Sequence, residues 1–328
     1  MKQGRISENI LKRSVMTQLH SRHRDVNAGI CVLNDCAEIS VNGGMLCTSS
    51  INSTELSESF LQGDICICRA VNNIAVSGAE PSAVLLSLTV PENTEEPLLR
   101  EMISSADKQC GKCSVQISGC DIRTSKAVNV PIMTVSGIGI SNAASSGKAM
   151  PGDDIVMTKW AAVSGTAVIA ATMSEILKDR FAPSFISTAV DFDELFSVAP
   201  EAAVAAKSGF SLMHDASEGG VFGALWEMAE RSGVGLQIDM KEIPVRQETI
   251  EICNYLNISP YELMADGSLL IACRSGHKLM RELLEAGINA AVIGTVTEGN
   301  DRCLLNGEEK RFLEPAREDE IHKIKKRG

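Results

Sequence analysis

The sequence carries no surplus of positive charge: 31 lysines and arginines face 42 aspartates and glutamates, a net charge of -11 over 328 residues. Binding DNA or RNA through the phosphate backbone needs a surface that neutralises phosphate, so nucleic acids are excluded as partners. Long apolar runs are also missing. No stretch approaches the roughly 18 apolar residues of a membrane span, and the opening MKQGRISENILKRSV is charged where a secretion signal needs an apolar segment. These absences predict a cytoplasmic protein with no membrane contact. There is no solenoid period, no low-complexity tract and no second Cys-x-x-Cys pair beside the one at residues 110 to 113. Hydrophobic residues make up 44% of the chain, enough for the cores of about two domains.

Eleven cysteines are present, eight of them before residue 121. A reducing cytosol keeps them as thiols or metal ligands and does not sustain structural disulfides. Cys110-Gly111-Lys112-Cys113 is the sharpest local pattern, with Cys66, Cys68 and Cys120 as candidate company for a soft metal. The structural alternative is that Gly111 ends an amphipathic helix, Cys110 closes that helix and Cys113 opens a strand.

Apolar spacing gives the element order. Two short strands around Asn42-Gly43-Gly44 read as a hairpin. Asp64 is placed to cap a helix with Ile65, Cys68, Val71, Ile74 and Ala75 on one face and Gly78 as its stop. A strand over residues 82–90, a helix from Asn93 or Thr94, a strand over 113–118 and another over 131–140 complete a first α/β layer. Small residues with Pro151 and Gly152 break the periodicity over residues 141 to 154, which places a domain boundary there and predicts domains 1–148 and 149–328. The second half reads as α/β or α+β: a strand at 155–160, a helix from about Ser164, a helix near 193–206, a strand at 210–215, a helix at 221–232 and further strands at 234–239 and 268–273.

The segment MHDASEGGVFGALWEMAERSGVGLQID, residues 213 to 239, concentrates the candidate chemistry. Val221, Phe222, Leu225, Met228 and Ala229 form a core-facing stripe, while Glu227, Glu230 and Arg231 point away. Ser217 is the natural N-cap, and glycines at 219 and 220 would leave the first N–H groups open to an anion such as phosphate. The pattern alone favours the structural alternative, in which the same glycine pair allows close packing of helix on strand. A second N-terminus, Ser164-Gly165-Thr166, follows Lys159, which could meet phosphate as a point charge or be an ordinary exposed strand-end lysine. His214 and Asp215 end an apolar strand beside the glycine pair, as a proton shuttle, a ligand contact or plain structure.

These residues carry a resemblance. The HDASEGG segment with its glutamate-rich helix and Val-Gly strand resembles the second-domain signature of the aminoimidazole ribonucleotide synthetase superfamily. LQGDICICRAVNNIAVSGAEP, PGDDIVMTKWAAVSGTAVIA and SPYELMADGSLLIA agree in the family's order, and the look is closest to relatives of the hydrogenase maturation factor HypE. The resemblance implies a two-domain PurM-like fold, α/β to α+β, whose N-terminal sheets pair into a β-barrel across a homodimer beside a C-terminal α/β sandwich domain. It implies ATP and Mg²⁺ in a cleft between the domains, phosphorylation of a carbonyl or amide oxygen, and a small-molecule substrate or maturation partner protein. Matching positions for the nucleotide are Asp35, Asp64, Asn72, Asn73 and the Gly119 to Asp121 loop, joined by Lys159, Ser217, Gly219 and Gly220; those for the metal are Asp35, Asn73 and Asp121. His214 and Asp215 take the catalytic positions. Ser50, Asn73 and Cys120 stand where the family places charged or metal-binding groups, and such neutral replacements weaken Mg²⁺ binding. The maturation factor modifies a terminal cysteine. This chain ends HKIKKRG with its last cysteine at Cys303, so the same self-modification is not expected. The losses at the metal positions motivate an alternative expectation, a catalytically degenerate dimer that senses nucleotide or binds a partner.

Overall fold

The computed structural model describes residues 10–28, 36–56, 61–141, 147–315 and 318–325. The chain divides into two compact units, Met1–Ser145 and Ser146–Gly328.

In the N-terminal unit, β1 (Val26–Ala28), β2 (Cys36–Val41), β3 (Gly44–Ser49) and β4 (Asn52–Glu55) precede helix α1 (Leu61–Val76). The β2–β3 hairpin forms as the turn composition predicts, with Gly43 at φ +86°. Asp64 does not cap α1: the helix begins at Leu61, and Asp64 lies inside its first turn, where a carboxylate still complements the helix dipole. Then come β5 (Glu80–Val90), α2 (Glu96–Lys112), β6 (Gln116–Thr124) and β7 (Ile132–Ser141). Helix α2 starts after Asn93 and Thr94 because residues 91–94 close a turn of their own and Pro97 fits the first helical turn. At its far end Gly111 is still helical; Cys113 is the C-cap and Ser114 takes the positive φ.

The sheet order is β1-β2-β3-β7-β5-β6, with β4 alongside β7; β5 and β6 run parallel and the other pairs antiparallel. Helix α1 lies against β7 so closely that a Cβ on Gly137 would sit 2.4 Å from the Ala70 carbonyl oxygen. Val84, Leu86, Leu88, Met133 and Val135 are buried. Strand alternation turns Val41, Leu46, Leu85, Ile138 and Ile140 to the opposite face, where Leu85 is 46% and Ile140 59% exposed. The sheet is open in the single chain; no closed barrel forms among the described residues.

The C-terminal unit contains β8 (Asp154–Thr158), α3 (Val163–Thr172), α4 (Ser174–Leu177), α5 (Pro183–Val190), α6 (Ala199–Ser208), β9 (Leu212–Ala216), α7 (Gly220–Ser232), β10 (Gly235–Asp239), α8 (Gln247–Leu256), β11 (Ser268–Cys273), α9 (Gly276–Glu285), β12 (Ala290–Thr297), the hairpin β13 (Arg302–Asn306) and β14 (Glu309–Phe312), and α10 (Ile321–Lys325). The sheet order is β14-β13-β10-β12-β8-β11-β9. Residues 191–195 form a separate 3₁₀ turn, so the helix expected near 193–206 begins only at Ala199, with Pro200 in its first turn. Helix α7 buries Val221, Leu225, Met228 and Ala229 with sheet residues Leu212, Ala216 and Leu270, while α3, α5 and α8 share a second core around Ile169, Ile186 and Ile252. No helix among the described residues is long and apolar enough to cross a membrane.

Candidate functional site

Both helix starts that read as anion sites already have hydrogen-bond partners from within the C-terminal unit. Ser217 does not cap α7. The N-cap is Gly219 in the left-handed region at φ +87°, and Ser217 instead offers its backbone carbonyl to the N–H groups of Gly220 (3.0 Å) and Ala265 (3.2 Å). Gly220 has φ +66°, and a Cβ there would lie 2.6 Å from the carbonyl oxygens of both Tyr261 and Leu263. Gly220 therefore admits the protein's own backbone at residues 261–263, a close packing of helix on a turn and not on a strand, while Gly219 lines a cavity with Gly223, Glu262 and Arg311. The Gly219 N–H donates to Asp319 Oδ2 at 2.6 Å, so a carboxylate from the C-terminal segment occupies the positive end of the helix.

The other start, at α3, is met by the same stretch of chain. Ser164 Oγ donates to buried Asp266 Oδ2 at 2.7 Å and accepts from the Asp266 N–H at 2.9 Å, while the Gly165 N–H donates to the Met264 carbonyl. Residues 261–266 thus tie α3 to α7, which is the physical content of the SPYELMADGSLLIA stretch.

Lys159 is neither exposed nor a free point charge. Its Nζ lies 2.7 Å from Glu201 Oε1 and donates to the carbonyls of Leu195 (2.9 Å) and Ser197 (2.6 Å), with Glu201 almost fully buried. His214 and Asp215 point to opposite faces of β9, as successive strand residues must. The His214 ring reaches Glu227 Oε2 at 3.0 Å from Nε2; a carboxylate only accepts, so the ring donates there. Glu227 accordingly turns back toward the sheet, contrary to its outward placement on a helical wheel, and Glu230 engages Arg302 at 2.7 Å.

In the N-terminal unit Asp35 lies outside the described residues. Asn72 and Asn73 are buried on α1, and Asn73 Nδ2 donates to Ser50 Oγ at 3.4 Å, so two of the neutral replacements meet each other. Asp64 accepts from Ser105 Oγ on α2 at 3.5 Å. Gly119 and Asp121 are not in a loop: both stand within edge strand β6, opposite Leu85 and Ser87 of β5. That register gives Asp121 the uncovered face of the sheet, where it is paired with Arg123, and Asn73 lies with α1 on the other face. The structure of this unit brings Ser50 to Asn73 and Asp64 to Ser105; it does not bring Asn73 to Asp121.

The soft-metal expectation finds no support, since no cluster of three or more His, Cys, Asp or Glu able to hold a metal occurs among the described residues. The residues missed in the sequence are Glu201, Asp266 and Asp319. Asp266 sat inside a quoted stretch, whereas the tail position of Asp319 gave no periodic signal.

Residues 27–141 match the N-terminal domain of AIR synthase related proteins and residues 150–304 the C-terminal domain. A putative hydrogenase expression/formation protein of Methanocaldococcus jannaschii is 26% identical over 315 residues, covering 92% of this chain and 91% of that protein. The carbamoyl dehydratase HypE of Rhodobacter capsulatus is 27% identical over 219 residues, 64% of this chain and 61% of its own length. Among solved structures, the hydrogenase maturation protein HypE in complex with ATP superposes with a TM-score of 0.69 at 18% identity, covering 97% of each chain, a likeness of fold.

Proposed function

Because the chain belongs to the AIR synthase related protein family, with both family domains present in order, we propose that it is a HypE-like ATP-binding enzyme that phosphorylates a carbonyl or amide oxygen, in small-molecule or maturation-type chemistry. The observation that carries this reading is the match along 92% of the chain to a hydrogenase expression/formation protein. The fold it shares with an ATP-bound HypE supports the nucleotide.

We place nucleotide and metal contacts on Asp35, Asp64, Asn72, Asn73, Gly119 and Asp121 of an N-terminal domain spanning residues 1–148. The domain spanning 149–328 supplies His214 and Asp215. Asp35, Asn73 and Asp121 are all oxygen donors, which is the chemistry Mg²⁺ takes, but Asn73 and Asp121 stand on opposite faces of the sheet, so within one chain they do not fit a single shared ion. His214, hydrogen-bonded to Glu227, is held in one orientation and can keep a proton at Nε2. Lys159, Ser217, Gly219 and Gly220 shape this domain by the contacts described above and meet a nucleotide only if those contacts open.

A second reading, a degenerate nucleotide-sensing or partner-binding dimer, is favoured by the Ser50–Asn73 hydrogen bond between two neutral side chains. Calorimetric titration with ATP, with and without Mg²⁺, followed by phosphate release, separates the two. The enzyme reading expects Mg²⁺-dependent micromolar binding and slow phosphate release, and Asn73→Asp is expected to tighten binding by restoring a carboxylate. No binding up to millimolar ATP rejects it in favour of the degenerate dimer.

The uncovered face of the N-terminal sheet supports a homodimer, because a row of exposed Val41, Leu85 and Ile140 with half-buried Leu46 and Ile138 is the composition of an interface core. Leu85→Glu combined with Ile138→Glu is expected to halve the mass measured by light scattering while leaving circular dichroism unchanged. A variant that stays at twice the chain mass removes this face from the interface.

A further inference from the structure

The Cys-x-x-Cys stretch takes no part in the proposed nucleotide and metal contacts. Cys68, on α1, and Cys113, the C-cap of α2, place their sulfurs 3.8 Å apart. Gln109, one turn earlier on α2, donates from Nε2 to Cys68 Sγ at 2.9 Å and so fixes that sulfur's position. Of the neighbouring thiols, Cys66 Sγ donates to the Asn52 carbonyl at 3.4 Å, and Cys110 is buried on α2 beside Cys113, which makes it the competing partner.

We propose that Cys68 and Cys113 are a two-electron redox pair, oxidised by a small peroxide to a disulfide that staples α1 to the end of α2. A disulfide needs its sulfurs about 2.05 Å apart, so side-chain rotation has to close a gap of about 2 Å without moving either helix far. The oxidant has to be small. Cys68 is fully buried and Cys113 only 8% exposed, so a bulky disulfide such as oxidised glutathione cannot reach either sulfur, whereas hydrogen peroxide can.

Cys113 is the more accessible of the two and meets peroxide first. Its thiol gives a proton to solvent; the thiolate attacks one peroxide oxygen, the O–O bond breaks, and Cys113 sulfenic acid forms with release of hydroxide, which the solvent proton converts to water. Cys68 is held as a thiol, because its contact with Cys113 and its burial push it well above the ordinary thiol range. Its sulfur then attacks the sulfenic sulfur, and the departing oxygen takes the Cys68 proton to leave as a second water. Two cysteines are oxidised by two electrons and one peroxide is reduced to two waters. The helix that becomes anchored bears Asp64, Asn72 and Asn73, so oxidation fixes the element on which the proposed nucleotide positions stand.

The test uses the full chain carrying Cys120→Ser, which removes an exposed thiol that would compete for peroxide. One equivalent of hydrogen peroxide is expected to remove two thiols per chain, restored by dithiothreitol. Tryptic mapping without reduction is expected to link the peptide that begins at Cys113 to the peptide of residues 25–69; cleavage after Lys112 separates Cys113 from Cys110, and tandem fragmentation of the linked pair is expected to place the bridge on Cys68 and not on Cys31, Cys36, Cys47 or Cys66 of the same peptide. Added Cys68→Ser is expected to abolish the link and leave Cys113 trapped by dimedone as sulfenic acid. Should that variant fail to fold, the fragmentation map of the Cys120→Ser protein decides alone. Thiols that survive peroxide, or a bridge on any other pair, such as Cys113 to Cys110, Cys113 to Cys66 or Cys36 to Cys47, overturn the proposal.

Discussion

Lys159→Met is expected to lower the stability of the C-terminal unit by about 3–5 kcal/mol, the range for breaking a buried ion pair by removing one partner. The side chains of Lys159 and Glu201 are 12% and 1% exposed, so the carboxylate left behind cannot recover its hydration. It is already short of partners, because Glu201 Oε2 makes no hydrogen bond. The carbonyls of Leu195 and Ser197 would lose their donor as well. Urea unfolding followed by tryptophan fluorescence measures the effect in the right place: the chain has two tryptophans, Trp160 and Trp226, both in the C-terminal unit. The double variant Lys159→Met, Glu201→Leu is expected to recover much of the loss, since an apolar pair leaves no buried charge. A single variant within 1 kcal/mol of the parent would show that the pair is solvated, and Lys159 would return as a candidate phosphate contact.

Lys159 also shows where sequence reading stops. Its position after an apolar strand was legible, as were the hairpin at Asn42-Gly43, the stripes of α1 and α7 and the two-domain α/β character, because each follows from local periodicity or turn chemistry. The partner of a lysine is not local. Glu201 lies 42 residues on and Asp319 is 100 residues from Gly219, distances over which spacing carries no information. The glycine pair was ambiguous for the same reason. A glycine at a helix start reports that something approaches closely, and only the fold shows that the visitor is the backbone of residues 261–263. Asp64 and Glu227 were misread by one helical turn and one rotamer direction, since wheel position fixes the Cβ but not the reach of a long side chain. The family resemblance added the domain order, which periodicity could not.

Asp319→Ala is expected to destabilise the C-terminal unit by about 2–4 kcal/mol, because buried N–H donors lose their acceptor at about 1–3 kcal/mol each with partial relaxation. Asp319 accepts from Gly219 (2.6 Å), Ile321 (2.9 Å) and Met264 (3.3 Å) and is 2% exposed. The pH dependence of that deficit is the sharper test. A carboxylate at a helix N-terminus with three N–H donors is ordinarily held low, yet here burial outweighs those donors and, with the Glu218 charge nearby, raises Asp319 from 3.8 to about 6. Between about pH 4 and pH 6 the folded protein therefore holds the Asp319 proton while the unfolded chain has released it. Linkage makes stability fall as pH rises through that window. The contribution is fully present below the unfolded value and gone above the folded one, a swing of about 3 kcal/mol. The gap between parent and Asp319→Ala in urea unfolding should thus widen as pH is lowered from 6.5 toward 4. A gap that narrows toward acid would mean that the charged form is the favoured one and that the helix end, not burial, governs this carboxylate. In that case the α7 N-terminus is an effective anion site, and displacement of Asp319 by phosphate becomes thermodynamically accessible.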